Sequence, residues 1–444
     1  MAISPARVAA FDILLRVDQQ DAYASELLHA PGYAKLSPAD HRLATELVLG
    51  VLRWRSLLDH QIAQQSALKL SKLDPEVLTC LRLAAYQLLY LDRVPAHAAI
   101  HESVQLVKRA RKRSAVPFVN AVLRKFGTER RLSNSMSIEN AKTAAELASS
   151  SAHPQWLVER WTRTFGLPIT GQICNYDQHI PTACISIRDP GVTKELESQG
   201  VKLAPGSLLS SSRRVIAGDL TTTRAFCEGR VTIQDEASQL VALLVGKGPR
   251  ILDCCAAPGG KTRLLAERNP KAAIVAVELH PHRARLLRKL VSAKNVQVIT
   301  GDINTLPTNE FFDRVLVDVP CSGTGTLAHN PEIKWRLKPE DLVDLKARQL
   351  AILQSAMQRV APEGTLVYST CSLEPEENQN VVESALPADS SFRVANIAEQ
   401  LNELHSQGEL TWKDTASLTS GPYLRTIPGV HLCDGFFAAI FQKS

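Results

Sequence analysis

The chain has 444 residues, of which 45% are hydrophobic and 22% charged, with a formal net charge of +6 at pH 7. That length exceeds one ordinary domain of roughly 100–200 residues, and the balance excludes a mostly disordered or fibrous protein. No run approaches the ~20 apolar residues of a membrane span, and Arg7, Asp12 and Arg16 interrupt what would be a signal-peptide core. The nine cysteines are odd in number, thinly spread and without a C-x-x-C pair. They read as reduced thiols of a cytoplasmic protein rather than a disulfide framework or a zinc site.

Helix starts come first along the chain. Ser4-Pro5, Ser37-Pro38 and Asp74-Pro75-Glu76 each put a capping side chain before a proline that has no N–H to leave unpaired. Behind them Val8, Phe11 and Leu15, then Leu43, Leu47, Val51, Trp54 and Leu58, then Leu78, Leu81, Ala85 and Leu88 recur at helical steps. Further helices are expected from Pro95 towards Arg111 and through Val119, Val122, Leu123 and Phe126. Residues 1–140 therefore read as an all-α domain ending in a polar stretch. Between His101 and Arg131 lie Lys108, Arg109, Arg111, Lys112, Arg113, Arg124, Lys125, Arg130 and Arg131, against Glu102 and Glu129 only. This is either a solvated helical face or a surface that gains by displacing counterions from phosphates.

From residue 141 to 228 a small α+β unit is expected, with a helix from Pro154 to Phe165 stopped by Gly166 and an alternating run over 183–188. From 229 to 444 the pattern is doubly wound. Near-continuous apolar runs at 250–254, 273–279, 296–300, 314–319 and 364–369 alternate with helical segments at 261–268, 281–293 and 339–360. That pattern predicts a parallel sheet covered on both faces, with chemistry at the carboxyl ends of its strands.

After the first of these strands comes Asp253-Cys254-Cys255-Ala256-Ala257-Pro258-Gly259-Gly260-Lys261-Thr262. Its small residues and helix N-terminus favour close backbone approach of a ligand. The dinucleotide pattern G-x-G-x-x-G is absent, and Cys255 and Pro258 depart from a phosphate-binding loop. Glu278 at the second strand end is placed to accept from ribose hydroxyls, and Asp302 at the third from an adenine amino group. A glycine loop with two acids fits an adenosine-bearing, phosphate-free, cationic ligand such as S-adenosylmethionine. The fourth strand ends in Asp318-Val319-Pro320-Cys321 and the fifth in Thr370-Cys371, which brings two thiols and a carboxylate to one sheet edge. Zinc there would need further ligands, and only His329 is near in sequence. A thiolate adding to carbon 6 of a cytosine would make carbon 5 nucleophilic towards a sulfonium methyl, with a carboxylic acid assisting at nitrogen 3. The thiol of pKa ~8.5 must then be activated. Lys334, Arg336 and the loop amides are candidates for that.

Residues 253–262, 316–325 and 368–378 closely resemble the signatures of the RNA cytosine-5 methyltransferases of the bacterial small-subunit rRNA methyltransferase B type. Gln234-Asp235-Glu236-Ala237-Ser238, Asn330-Pro331-Glu332-Ile333-Lys334-Trp335 and Asp434-Gly435-Phe436-Phe437 add to it, and the first domain is similar to the NusB-type RNA-binding helical domain. The resemblance implies a Rossmann-like methyltransferase domain, with Cys371 as nucleophile, Cys321 assisting release of the product, and Asp318 touching the cytosine and the cofactor. It further implies that Cys255, Ala256, Ala257, Pro258, Gly259, Gly260, Lys261, Glu278, Asp302 and Asp318 hold S-adenosylmethionine; many relatives have Asp where Glu278 stands. Lys108, Arg109, Arg111, Lys112, Arg113, Lys334 and Arg336 are expected to contact RNA, 16S rRNA above all, with no membrane, metal or obligate protein partner. A non-catalytic, antitermination-like RNA binder, a tRNA methyltransferase and a nucleotide hydrolase are the competing readings. Residues 386–432 carry no assignment.

Overall fold

The computed structural model describes residues 3–20, 22–33, 35–128, 138–187, 189–306, 310–386 and 391–444. Glu129, Arg130 and Arg131, most of the polar stretch after them, and Arg188 lie outside the described residues. The chain forms two compact units, Met1–Ile180 with Leu327–Leu337, and Pro181–Thr326 with Lys338–Ser444. Among the described residues no helix is long and apolar enough to cross a membrane.

The first unit is helical. Its main helices are Pro5–Gln20, Pro38–Gln65, Pro75–Tyr90, Ala96–Arg109 and Val116–Thr128, followed by Ala144–Ser150, Gln155–Phe165 and Leu167–Asp177. The expected apolar stripes face inward: Phe11, Leu47, Val51, Leu58, Leu81, Ala85, Val119 and Leu123 are buried in one cluster. Ser37 caps its helix, its Oγ accepting from Asp40 N at 3.1 Å. Asp74 does not cap its own; its carboxylate pairs with Lys112 Nζ at 3.0 Å instead. An ion pair here has replaced a cap.

The expected divisions near 140 and 228 are not where the chain divides. The helices of 144–177 bury Leu147, Leu157, Trp161 and Ile173, and the carbonyl of Asp177 accepts from Arg53 Nε at 3.3 Å, which ties them into the helical unit. The strands β1 (Cys184–Ser186), β2 (Lys202–Pro205), β3 (Ser212–Ala217) and β4 (Thr232–Ile233) form a separate sheet in the order β2-β3-β1-β4. Because β4 pairs with β1, this sheet runs across position 228.

The remaining strands are β5 (Arg250–Asp253), β6 (Ala273–Glu278), β7 (Val296–Thr300), β8 (Phe312–Asp318), β9 (Val360–Thr370), β10 (Phe392–Ala395), β11 (Thr419–Ser420), β12 (Tyr423–Arg425) and β13 (Phe437–Lys443). Their order is β11-β12-β13-β9-β8-β5-β6-β7, with β10 also on β13. The five from β5 to β9 are parallel, as their apolar runs predict; β10 to β13 pair antiparallel. Order reverses between β5 and β8, and ligands of such sheets bind at that switch point.

Candidate active site

The loop after β5 lies at this reversal. Gly259 has φ +118°, and a Cβ there would stand 2.8 Å from Leu287 and Val291 side-chain atoms, so only glycine fits. The helix Gly260–Arg268 then starts beneath it. Asp253 is buried, accepts from Thr262 Oγ1 at 2.7 Å, and is pushed up to about 7 by burial. A cavity of about 520 Å³ is lined by Cys255 to Lys261 and Asp318, together with Phe226, Thr232, Ile233, Gln234 and Lys289.

Glu278 ends β6 and Asp302 follows β7, and neither lines that cavity. Glu278 is buried, with Oε1 accepting from His280 N at 2.9 Å. Asp302 Oδ1 accepts from Asn304 N at 2.9 Å. Each carboxylate keeps its second oxygen without a hydrogen-bond partner among the described residues, so both retain acceptors for hydroxyl or amino donors. Lys261, the loop's cation, is already paired: Nζ is 2.7 Å from Asp318 Oδ2. Burial works against that ammonium, and the Asp318 carboxylate, with a smaller contribution from Cys371, holds its pKa above the ordinary value. Small backbone, two acids and a neutralised lysine suit S-adenosylmethionine and not a polyphosphate.

Beyond β8 and β9 the two thiols meet, with Cys321 Sγ 3.2 Å from Cys371 Sγ. The hydrogen bond to Cys371 and then burial hold the Cys321 thiol well above its ordinary value. Asp318 Oδ1 accepts from Ser369 Oγ at 2.7 Å, which fixes the carboxylate between Ser369 and Lys261. Cys254 is buried and Cys255 half-buried, and burial is the largest cause pushing both thiols up.

The other motif segments have local work. Asp235 caps the helix Glu236–Leu244, and Glu236 is fully buried, accepting from the amides of Ser207, Leu208 and Leu209 at 2.7–2.9 Å. Gly435 N donates to Gly325 O at 2.7 Å, and a Cβ on Gly325 would stand 2.1 Å from Gly435 O. Phe436 lies under Lys261, with Nζ 5.1 Å from its ring centroid. Ser369 and Glu377, which bind Asp318 and the residues beside the thiols, were not singled out in the sequence; their signal was only their place inside the 368–378 motif.

Lys334 corrects an expectation. It lies in the first unit, buried to 1% exposure, with Nζ donating to Arg53 O at 2.9 Å and Ala152 O at 3.0 Å. It reaches neither a phosphate nor the thiols. Glu332 Oε1 accepts from Ala24 N at 2.9 Å and Trp335 Nε1 donates to Leu52 O at 2.6 Å, so this whole segment is fastened into the helical unit. Arg336 is half-buried, its guanidinium 4.5 Å from the Tyr23 ring centroid. Of the basic cluster, Lys108, Arg111 and Arg113 are exposed, whereas Arg109 forks onto Asp12 at 2.7 and 2.9 Å and Lys112 pairs with Asp74.

A family model for 16S rRNA methyltransferase RsmB/F matches residues 240–442, and one for the NusB family matches residues 4–128. The chain is 31% identical to a probable ribosomal RNA small subunit methyltransferase B of Bacillus subtilis, over 98% of each chain. It is 34% identical to the protein of the same description in Synechocystis sp., over 99% of each. The crystal structure of PH0851 superposes with a TM-score of 0.79 at 24% identity, covering all of both chains. A methyltransferase homologue from Pyrococcus horikoshii gives 0.56 at 23% identity, over 68% of this chain and all of that one. With relatives at 31% and 34% identity matched end to end, the chain belongs to the RsmB/F family of 16S rRNA methyltransferases and is an S-adenosylmethionine-dependent methyltransferase.

Proposed function

We propose that this enzyme methylates carbon 5 of a cytosine in RNA of the small ribosomal subunit, with Cys371 as nucleophile and Cys321 as its partner in release. The observation that carries this reading is the 3.2 Å approach of the two sulfurs at adjacent strand ends, beside Asp318. Cys371 adds as thiolate to carbon 6 of the ring, forming an S–C bond and moving the C5=C6 electron pair onto carbon 5. S-adenosylmethionine, when bound, supplies the electrophilic methyl group. Loss of the proton on carbon 5 to a base restores the double bond and expels Cys371 as thiolate. Asp318 holds the ring at nitrogen 3, and the Lys261 ammonium at 2.7 Å keeps a proton within its reach. Residues Cys255 to Lys261, Glu278 and Asp302 would hold the cofactor, Glu278 at the ribose and Asp302 at the adenine.

Exposed Lys108, Arg111 and Arg113 supply a positive face for RNA phosphates on the NusB-like unit. A ribosomal RNA substrate and nine cysteines free of disulfides support a cytoplasmic site of action. Tritiated S-adenosylmethionine incubated with small-subunit rRNA should label RNA, and bisulfite sequencing of rRNA from cells lacking the protein should find one cytosine newly convertible. Label in a purine, or none, would overturn the reading. Label that appears only in tRNA would move the substrate and keep the chemistry.

A further inference from the structure

Glu377 stands in the short helical turn Pro375–Glu377 after β9 and is fully buried. Its carboxylate binds the residue that follows each thiol. Oε1 accepts from Ser322 N at 2.8 Å and from Gln349 Nε2 at 2.8 Å. Oε2 accepts from the hydroxyl of Ser322 and from Ser372 Oγ at 2.5 Å. The two serine hydroxyls are 3.0 Å apart. Four neutral donors thus converge on one acceptor-only group, and no lysine, arginine or histidine is among them. A buried carboxylate held this way is costly unless every lone pair is used. Around it the loops are doubly fastened, with Gly325 N on Cys371 O at 2.9 Å, Leu373 N on Thr324 Oγ1 at 2.9 Å and Thr370 Oγ1 on Asn378 Oδ1 at 2.6 Å.

We propose that Glu377 is a positioning residue for methyl transfer: by gripping Ser322 and Ser372 it fixes the two sulfurs against each other. This rests on the assignment of the two thiols made above. Glu377 never reaches the substrate; it acts through the residues next to the sulfurs. The titratable groups that interact with Cys321 are Cys371, Glu377 and the buried Tyr368; Asp318 interacts with Tyr368, and Lys261 with Asp318 and Cys371. After the hydrogen bond to Cys371 and burial, the charges of Cys371 and of Glu377 are the further causes that hold the Cys321 thiol up.

The test uses the full chain with Glu377→Gln and, separately, Ser372→Ala. Iodoacetamide alkylation is followed at each thiol by peptide mass spectrometry across pH, beside steady-state kinetics. Glu377→Gln should draw the Cys321 alkylation profile to lower pH, since the contact with Cys371 that holds this thiol up loosens. It should also lower kcat by about 10–100-fold while KM for cofactor and RNA stays within about twofold, as for a misplaced reacting group. Ser372→Ala should move both readouts the same way and less; it decides alone should Glu377→Gln not fold. Unchanged or equally displaced alkylation profiles, or kcat equal to that of the unmodified protein, would overturn the proposal. The alkylation readout needs no RNA, so a shift there without methyl transfer in the unmodified protein would leave Glu377 in its role and remove the proposed reaction.

Discussion

Cys321 and Cys371 are fifty residues apart in sequence, yet their sulfurs stand 3.2 Å from each other. The cause is register. Strands β8 and β9 pair in parallel with Asp318 opposite Ser369, so the thiols, three residues beyond one and two beyond the other, leave the sheet at the same edge. The hydrogen bond between those two opposed residues, Ser369 Oγ on Asp318, then fixes the acid beside the sulfur pair.

From that arrangement opposite outcomes follow for the two thiols. Cys371→Ala should lower methyl transfer by about a thousandfold or more and leave cofactor affinity within about twofold. Cys321→Ala should let the first bond form and impair release, giving a slower RNA–protein band on a denaturing gel. Swapped outcomes would exchange the roles; no effect from either substitution would remove covalent catalysis.

The Lys261–Asp318 pair is partly buried, with side-chain exposures of 13% and 26%. Removing one member strands the other's charge. Lys261→Met should therefore cost on the order of 2–3 kcal/mol in urea unfolding. The double variant Lys261→Met/Asp318→Asn should recover part of that loss. Additive costs would mean that the two groups do not depend on each other.

How much of this was legible depended on how local the cause was. The glycine loop, Glu278, Asp302 and the paired thiols follow from strand period and strand order, which short-range patterns carry. Strands β10 to β12 escaped because they are short, and β13 because it pairs antiparallel with β9, outside the alternation of parallel strand and helix that marks the others. Lys334 looked like an exposed cation because its burial is set by Arg53 and Ala152, both far away in sequence. Asp74 looked like a cap because the Lys112 that claims it comes 38 positions later.

RNA affinity should depend on salt through a defined subset of the basic cluster. Lys108, Arg111 and Arg113 are exposed, while Arg109 and Lys112 are engaged by Asp12 and Asp74. Replacing the first three by Ala should flatten the plot of log affinity against log salt by about 2–3 units of slope. Replacing Arg109 and Lys112 should change it less, since each already faces a carboxylate. Equal effects from the two sets would mean that the ion pairs open on binding.

Lys334 should make stability depend on pH above neutrality. Burial is the largest cause of its pKa falling to about 7, with Arg53 adding to the fall and Asp177 and Cys174 opposing it. An unfolded lysine titrates near its ordinary ~10.4. Between those values the unfolded chain binds more protons, so stability from this group rises as pH rises; below about 7 its contribution is flat and at its lowest. His153 is held below its ordinary value first by burial and then by the Lys334 charge, and so titrates beneath that window. Lys334→Met lacks the titration. The deficit of this variant in urea unfolding should therefore grow by a few kcal/mol between pH about 7 and pH about 10. A deficit constant across that range would mean that the ammonium stays charged, with Asp177 and the two carbonyls compensating its burial in full.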